Sequence, residues 1–325
     1  GLAEIREMMF PVFDMTCPPK GSGWGARWLV ATDPDPRLPA GTPGNRAAGA
    51  APVIQNDALV LDAAESPQAM AAVTYRHFNL DRAPEDAEHP VWVWNAYDGR
   101  PANRERFPAA HDFVLTCDVE VAAAAAATGE ACFAARLLDG ADAVTAEVSV
   151  GPKAAGRAQL TREGHGGLAS APGAALQTGR THRLEFAFVD RRAHLAIDGK
   201  LVVAPADLPQ VTGRKSVSRP LQLGARGCRV VLHNLKLYRD VHYTRFGTHG
   251  TESPLTLGPK EYYVLGDNSG NSQDSRKWPS PAVPEADFIG KPFLVHQPLR
   301  QGRVTVGGRE RAFQTLDWSR LRWVH

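Results

Sequence analysis

Short β-patterned runs alternate with turn residues over most of the chain, and this repetition limits the folds open to it. The runs lie between about residues 57 and 245 and are rich in Val, Leu and Ala. They are 59–61, 71–77, 91–94, 112–121, 131–137, 144–150, 158–162, 182–190, 193–203, 221–224 and 230–238. Few helix signatures interrupt them. Many short strands at regular spacing predict a mainly β chain whose central part is a β-sandwich.

The segment from His182 to Val203 carries the clearest local pattern. It reads as strand, turn, strand, tight turn and strand, because the Asp198-Gly199 pair suits a two-residue hairpin. This pattern, together with 220–225 and 231–240, resembles laminin-G or concanavalin-like jelly-roll domains over roughly residues 57 to 240. The resemblance implies a jelly-roll sandwich. Such domains often bind carbohydrate or protein, but a sandwich by itself does not imply a function.

Composition narrows the possible partners of the chain. Its 325 residues are enough for a sizeable core and two domains. The 37 basic and 35 acidic side chains nearly balance, so charge gives no reason to expect a nucleic-acid partner. The sequence has no apolar run of about 18 residues, which predicts no membrane span. It also has no signal peptide and begins with Gly, so we expect it to be a fragment.

Neither the cysteines nor the histidines are spaced as metal ligands. The four cysteines are Cys17, Cys117, Cys132 and Cys228, with no CxxC pair to favour zinc. Cys117 and Cys132 flank a predicted hairpin and could form a disulfide across it, or all four could be separate buried thiols. Asp190 and Asp198 fit a lectin-like calcium site, although Asp198-Gly199 is more simply a turn. We predict no metal and no organic cofactor.

The eleven residues 266–276 are the densest group of turn-forming, hydroxyl and charged side chains in the chain. An apolar strand candidate, 261–265, leads into them, and a second apolar run follows a Pro-rich connection. A polar loop between two strands is how a scaffold presents side chains at a cleft. Gly266 permits a positive φ, and Asp267 and Asn268 suit an Asx turn.

Three side chains in this loop alternate at a spacing of two: Ser272, Asp274 and Arg276. In an extended segment all three point to one face. Asp274 can then pair with Arg276, which leaves the Ser272 hydroxyl for a third group. The alternative is a solvated loop with one surface ion pair, worth under about 1 kcal/mol.

The order Gly-Asp-Asn-Ser-x-Asn-Ser-x-Asp-Ser-Arg in residues 266–276 resembles the last sequence box of the signal peptidase I family. These are membrane-bound serine endopeptidases that remove signal peptides. Residues 283–291, Val-Pro-Glu-Ala-Asp-Phe-Ile-Gly-Lys, resemble the family's continuation, so the resemblance covers roughly residues 261 to 298. The segment 277–282 departs from the family by being longer than its usual counterpart, which leaves the path of that loop open.

The resemblance implies a serine nucleophile and a buried lysine base that is neutral near pH 7. In the family these lie in Ser-Met-x-Pro and Lys-Arg-x-x-Gly-x-Pro-Gly segments. This sequence has no Ser-Met dipeptide, and none of its eight lysines lies in the second pattern. Supporting roles are therefore implied here: Ser272 hydrogen-bonds and orients the lysine, while Asp274 and Arg276 hold the shape. Asp267, with a basic partner, and Asn268 belong to the same supporting set.

By the same resemblance the chain has three parts. Residues 1–16 belong to a β-rich peptidase body, 17–245 form the inserted laminin-G/concanavalin-like sandwich, and 246–325 return to the peptidase body with the box. We predict part of an endopeptidase that cleaves signal peptides from exported preproteins at the outer face of the bacterial cytoplasmic membrane. Nucleophile, base and membrane anchor would precede residue 1, so this chain alone is expected to be inactive.

Two other functions remain open at this point. The chain could be a non-catalytic extracytoplasmic protein whose sandwich binds glycan or protein, with the peptidase-like box as scaffold. Alternatively, the insert could be a spacer that controls access to the peptidase cleft. Near the C-terminus, 302–313 predicts a Gly-Gly hairpin. The six arginines of 300–325 predict either a solvated face or a surface near an anionic bilayer.

Overall fold

The computed structural model describes residues 2–7, 9–16, 27–30, 53–55, 58–65, 70–77, 88–93, 108–124, 131–152, 156–243, 245–266, 269, 272–290, 294–295, 299–307, 309–316 and 322–323. Contacts divide the chain into two compact units. The sandwich unit is Gly1–Thr244 with Asp267–Gly270, and the C-terminal unit is Arg245–Gly266 with Asn271–His325.

The sandwich unit consists of one short helix, α1 (Leu2–Glu7), followed by strands. The strands are β1 (Met9–Asp14), β2 (Trp28–Val30), β3 (Val53–Gln55), β4 (Ala58–Asp62), β5 (Met70–Tyr75), β6 (Phe113–Ala124), β7 (Cys132–Leu138), β8 (Ala143–Val150), β9 (Arg157–Arg162), β10 (Gly166–Pro172), β11 (Ala175–Leu176), β12 (Thr181–Val189), β13 (Arg192–Ile197), β14 (Lys200–Leu201), β15 (Ala206–Asp207), β16 (Leu221–Arg226) and β17 (Cys228–Asp240). No helix among the described residues is long and apolar enough to span a bilayer.

These strands form two sheets. Sheet A has the order β14-β13-β12-β6-β17-β4-β3, with β1 also paired to β17 and β15 to β13. Sheet B has the order β10-β9-β8-β7-β16-β5-β2, with β11 paired in parallel to the end of β8. All other pairings are antiparallel, and strands distant in sequence lie side by side, as in a sandwich rather than a meander.

Among the described residues, the larger of two hydrophobic clusters joins the two sheets. On β6 of sheet A, Phe113 and Leu115 face the core, and on β7 of sheet B, Phe133 and Leu137 do so. Because successive side chains of a strand point to opposite faces, this alternation gives each sheet one apolar face, and the two faces meet. Burying each such side chain contributes about 1.5–3 kcal/mol. The predicted mainly β fold with a β-sandwich is confirmed.

The first residues of the chain belong to the sandwich unit. Helix α1 packs Leu2 and Ile5 against the outer face of sheet A. Arg6 donates to both carboxylate oxygens of Glu185, each at 2.6 Å, which ties the helix to β12. Strand β1 pairs along β17, with Met9 opposite Asp240. These contacts tie residues 2–14 to the sandwich unit, and the predicted three-part organisation remains a prediction.

The predicted hairpin from His182 to Val203 is confirmed. Strand β12 pairs with β13, and β13 pairs with β14 through a turn in which Asp198 and Gly199 have φ of 51° and 77°. The preceding turn places Asp190 and Arg191 at φ of 50° and 64°. Two successive non-glycine residues in the left-handed region are uncommon, so the residue types alone do not show the tightness of this turn.

Two local predictions differ from the structure, and one strand was not predicted. Residues 91–94 form no strand within their described part, since only an isolated bridge joins Trp92 to Ala109. Strand β10 is present although its Gly- and Ala-rich sequence has low strand propensity; it pairs at the edge of sheet B. Cys117 and Cys132 lie on different sheets, on β6 and β7, and both are free buried thiols. They therefore do not face each other across a hairpin, and no disulfide joins them.

The C-terminal unit contains short strands and one longer hairpin. Its strands are β18 (Glu261–Tyr262), β19 (Val283–Pro284), β20 (Leu294–Val295), β21 (Leu299–Val306), β22 (Arg309–Leu316) and β23 (Arg322–Trp323), with a 3₁₀ turn at Glu285–Asp287. Strand β18 pairs with β19, β20 with β23, and β21 with β22, all antiparallel. The predicted Gly-Gly hairpin is confirmed as β21 and β22, with Gly307 at φ 59° in the turn. The strand predicted at 261–265 extends only over β18.

Candidate functional site

A buried ion pair between Asp274 and Arg276 lies at the C-terminal end of the loop 266–276. Arg276 Nε donates to Asp274 Oδ1 at 2.9 Å and Nη2 donates to Oδ2 at 2.5 Å, so the guanidinium holds both carboxylate oxygens. Each residue is only 3% exposed. A two-point arginine–carboxylate pair is strong and directional. The pair is therefore not the weak surface contact of the solvated-loop alternative.

Backbone N–H groups complete the surroundings of the Asp274 carboxylate. The Arg276 N–H donates to Oδ1 at 3.1 Å and the Gly266 N–H donates to Oδ2 at 3.0 Å. Burial, the largest single influence, raises the pKa of this carboxyl. The hydrogen bonds from Arg276 and Gly266 outweigh it, so the pKa of Asp274 lies below its usual range. The carboxylate is therefore ionised at neutral pH and held from several sides.

The segment that carries this pair is a turn. The spacing of two predicts an extended segment, but the N–H groups of Lys277 and Trp278 donate to Asp274 O at 2.8 and 3.1 Å. Lys277 Nζ also donates to Ser272 O at 2.7 Å, which closes the loop further. The predicted Asp274–Arg276 pair is present, yet the predicted reason is wrong. The pair forms because the turn brings the Arg276 N–H and guanidinium to the same carboxylate.

Two other stretches of the C-terminal unit bind this turn. The Val264 N–H donates to Ser275 Oγ at 2.9 Å, and the Ser275 N–H donates to Val264 O at 3.2 Å. The N–H groups of Thr248 and His249 both donate to Arg276 O, at 2.7 and 3.2 Å. Ser275 is fully buried. The turn is therefore the meeting point of three chain segments, and its frame includes residues that the sequence pattern did not single out.

Gly247 shows how closely the segment 246–250 approaches the turn. The sequence indicates only a linker there, but a Cβ on Gly247 would lie 2.6 Å from Arg276 Cβ and 2.7 Å from Arg276 O. Real Cβ atoms do not come so close to a neighbour. The two glycines that flank Thr248 and His249 in this segment were the available signal, since a conformationally special residue often marks a close backbone approach.

Gly266 and Ser272 face each other across the loop. A Cβ on Gly266 would lie 2.2 Å from Ser272 Oγ and 2.6 Å from Ser272 Cβ. A glycine at position 266 permits a positive φ, as the sequence suggested, but Gly266 is not among the residues with positive φ. Its role is to leave room for the half-buried Ser272 hydroxyl, whose position is thereby restricted.

These features define what the described site can do chemically. Arg276 is permanently protonated, and an Asp274 carboxylate with a lowered pKa and occupied lone pairs is a poor general base at neutral pH. The pair therefore holds the shape of the loop and moves no proton. Asp267 and Asn268 lie outside the described residues, so their supporting roles remain predictions, as does the role of Ser272 beside a lysine.

No group of three or more His, Cys, Asp or Glu side chains within the described residues is arranged to bind a metal ion. The two aspartates considered for calcium lie in positive-φ turns. The Asp198 carboxylate accepts from His182 Nδ1 at 2.9 Å and from the Arg183 N–H at 3.0 Å, and so caps its own hairpin. This geometry favours the turn interpretation of Asp198-Gly199.

Comparisons with known structures return β-rich proteins of low identity. A carbohydrate binding module, CBM66 from Bacillus subtilis, is 11% identical, with a TM-score of 0.34 over 65% of this chain and 94% of that one. The CBM2 module of the evolved Dit of Lactobacillus casei BL23 phage J-1 is 12% identical, with a TM-score of 0.42 over 73% and 99%. Alginate lyase A1-II′ is 11% identical, with a TM-score of 0.35 over 57% and 82%. These likenesses carry no argument about ligand or activity.

No curated protein matches the chain. One family model does match, over residues 191–296, and it is described as "Signal peptidase, peptidase S26". The matched range contains the whole loop 266–276, with the buried Asp274–Arg276 pair and Ser272. It also contains β13 to β17 of the sandwich unit. This part of the chain is therefore similar to signal peptidases.

Proposed function

We propose that this chain supplies the frame of a serine endopeptidase of the signal peptidase kind. One observation carries the proposal: the segment matched by the signal peptidase family encloses a buried Asp274–Arg276 pair in a turn that two other chain segments bind. A buried charge pair costs desolvation free energy and is a weak source of stability. A loop built around one is suited to holding a neighbouring group, here Ser272, in one position.

In this proposal Ser272 orients a lysine that acts as the base for a serine nucleophile. Both reacting residues come from Ser-Met and Lys-Arg segments that this sequence does not contain. The lysine must be neutral to accept a proton, and a hydroxyl that donates to its amine favours the neutral form. The absence of a side chain at Gly266 leaves room for Ser272, since a Cβ there would lie 2.2 Å from Ser272 Oγ.

The substrates are signal peptides of exported preproteins, and the cleavage takes place at the outer face of the bacterial cytoplasmic membrane. The signal peptidase similarity of residues 191–296 supports both statements. The membrane anchor, like the two reacting residues, belongs to an upstream segment in this proposal.

The test is a preprotein cleavage assay with the protein expressed from its complete coding region in membranes. Ser272→Ala should lower kcat about 10- to 100-fold, the range typical when a group that orients a reacting residue is lost. It should also move the rising limb of the pH–rate profile to higher pH, because the lysine loses the hydrogen bond that favours its neutral form. Ser280→Ala, an exposed serine in the same unit, is the matched control and should change neither.

A purely structural role for Ser272 would lower activity without moving the pH profile, and this result would refute the orienting role. The peptidase function itself fails if the complete protein cleaves no preprotein. It also fails if cleavage persists when the serine and lysine of the upstream segments are replaced.

A further inference from the structure

A cleft of about 320 Å³ opens between the ends of the two sheets of the sandwich unit. Its floor is apolar and comes from Ala175 on β11, Ile197 on β13 and Val202 after β14. Its polar lining comes from the β12–β14 hairpins and the turn that precedes β12. The volume lies at the lower end of the range for ligand pockets, about 300–1,000 Å³, so it admits one ring-sized ligand.

A buried histidine closes the inner end of the cleft. His182 is 1% exposed, its Nε2 accepts the Gln177 N–H at 3.1 Å, and its Nδ1 lies 2.9 Å from Asp198 Oδ2. A ring nitrogen that accepts an N–H carries no proton, so Nδ1 is the protonated nitrogen and donates to Asp198. His182 is therefore neutral, and both its nitrogens are used inside the protein.

The charged lining of the cleft is Arg180, Asp198 and Lys200. Arg180 Nη2 lies 3.6 Å from Asp198 Oδ2, an exposed and weak ion pair. No ion pair is recorded for the exposed Lys200 within the described part of the chain. With His182 neutral, these three side chains sum to one net positive charge, which favours a monoanion over a neutral ligand.

Asp198 also restricts the kind of monoanion. Its carboxylate is partly exposed at the wall of the cleft and can accept hydrogen bonds from ligand hydroxyl groups. A carboxylate without hydroxyls would face this charge with nothing to donate. The apolar floor suits the C–H face of a ring. We propose that the cleft binds a small hydroxylated monocarboxylate of about one ring in size, of the hexuronic acid class. This inference is independent of the peptidase function.

The test is a titration of the full chain with sodium glucuronate, monitored by calorimetry and by the NMR chemical shifts of the His182 ring. We expect saturable binding in the millimolar range, which corresponds to about −4 kcal/mol, and weakening as the salt concentration rises. Glucose lacks the carboxylate and cyclohexanecarboxylate lacks the hydroxyls, so each should bind at least about five-fold more weakly, as expected for the loss of one such contact. Equal binding of either compound would overturn the proposed class, and so would tighter binding of inorganic phosphate.

Lys200→Gln should weaken glucuronate binding about five-fold, whereas Lys200→Arg should retain it. Lys215→Gln is the matched control, since Lys215 is also exposed and does not line the cleft. Melting temperatures of all variants check that the fold is kept. Unchanged affinity in Lys200→Gln, or no saturation by about 50 mM, would overturn the assignment. The ligand could be a free sugar acid or the end of a polysaccharide, and an oligomer of the same sugar acid distinguishes these two sources. Tighter binding of the oligomer than of the monomer identifies a polysaccharide end, and equal binding identifies the free acid.

Discussion

Replacing Asp274 with asparagine should open the loop 266–276 while leaving the sandwich intact. The substitution keeps the size of the side chain but removes its charge. Arg276, only 3% exposed, then faces a neutral amide in place of the Asp274 carboxylate, and two of the four hydrogen bonds to that carboxylate come from its guanidinium. The backbone donors of Gly266 and Arg276 must share the one oxygen that asparagine retains.

The magnitude follows from this geometry. Removing one partner of a buried ion pair costs about 3–5 kcal/mol, because the remaining buried charge loses the favourable interaction with that partner. With a tenfold change for every 1.4 kcal/mol, the exchange rate of amides protected by the loop should rise roughly 100- to 4,000-fold. The exchange rate cannot exceed that of an unprotected amide. It reaches this limit if the substitution costs more free energy than is needed to open the wild-type loop.

Hydrogen exchange of a peptide spanning residues 261–278 measures this change directly. Its protected amides include those of Val264, Gly266 and Lys277. Glu285→Gln is the matched control, because it also removes one carboxylate charge from an ion pair of the same unit. The Lys260–Glu285 pair has side chains 77% and 52% exposed, so its loss should cost under about 1 kcal/mol and change exchange less than about five-fold.

The reasoning is refuted if both variants change the exchange of this peptide by the same factor, or if Asp274→Asn changes it less than about tenfold. The pH dependence provides an independent check on the wild-type loop. The folded pKa of Asp274 is lowered, so its stabilising contribution is complete above the unfolded pKa of about 3.9 and is lost as pH falls through the lower folded pKa. Protection, corrected for intrinsic exchange, should therefore persist at pH 5 and disappear only in stronger acid.

Three further predictions concern other parts of the chain. Gly266→Ala should destabilise the C-terminal unit by about 1–3 kcal/mol in urea unfolding because its Cβ overlaps Ser272, whereas Gly290→Ala, with nothing within 4 Å, should not; equal effects would contradict the steric argument. Burial, with nearby carboxylates, raises the pKa of Asp240 to about 6, so ionisation of this side chain lowers the stability of the protein as pH rises from about 4 to 6. Asp240→Asn should therefore raise the melting temperature at pH 8 but not at pH 4. No gain at pH 8 would count against this account. Burial also raises the pKa of the three described thiols to about 12. At most one of the four cysteines should therefore react with a thiol reagent at pH 8 in the native protein, and all four should react after unfolding. If only two thiols react after unfolding, the other two form a disulfide.

The parts of the fold that sequence reasoning predicted are those encoded locally. Alternating apolar residues and an Asp-Gly pair predict the hairpin of β12, β13 and β14, and both signals depend only on residues close together in the sequence. Strand β10 could not be predicted in this way, because its Gly- and Ala-rich sequence owes its conformation to pairing with β9. The position of β1 was not predictable either, since its partner β17 is more than 200 residues away in the sequence.

The candidate site divides along the same line. The Asp274–Arg276 pair joins residues two apart, so the sequence alone suggested it, although the backbone conformation was wrong. The contacts of Thr248 and His249 with Arg276 O join residues almost thirty apart, and no composition or spacing rule indicates them. The requirement for glycine at position 247 arises from the same long-range approach; the glycine itself was a local signal, but its partner Arg276 could not be predicted from it.

The pairing of β1 with β17 has a consequence for how such a module can be accommodated in another protein. Met9, near the entry of the sandwich, lies directly opposite Asp240, near its exit. Paired residues of antiparallel strands lie about 4.5–5.5 Å apart. If the module were inserted into a surface loop of a host protein, the two ends of the interrupted loop would lie almost as close together as the ends of a tight turn. Chain ends that lie close together are what make domain insertion and circular permutation tolerable. The module can thus be added to or removed from a surface loop with little strain on the surrounding fold.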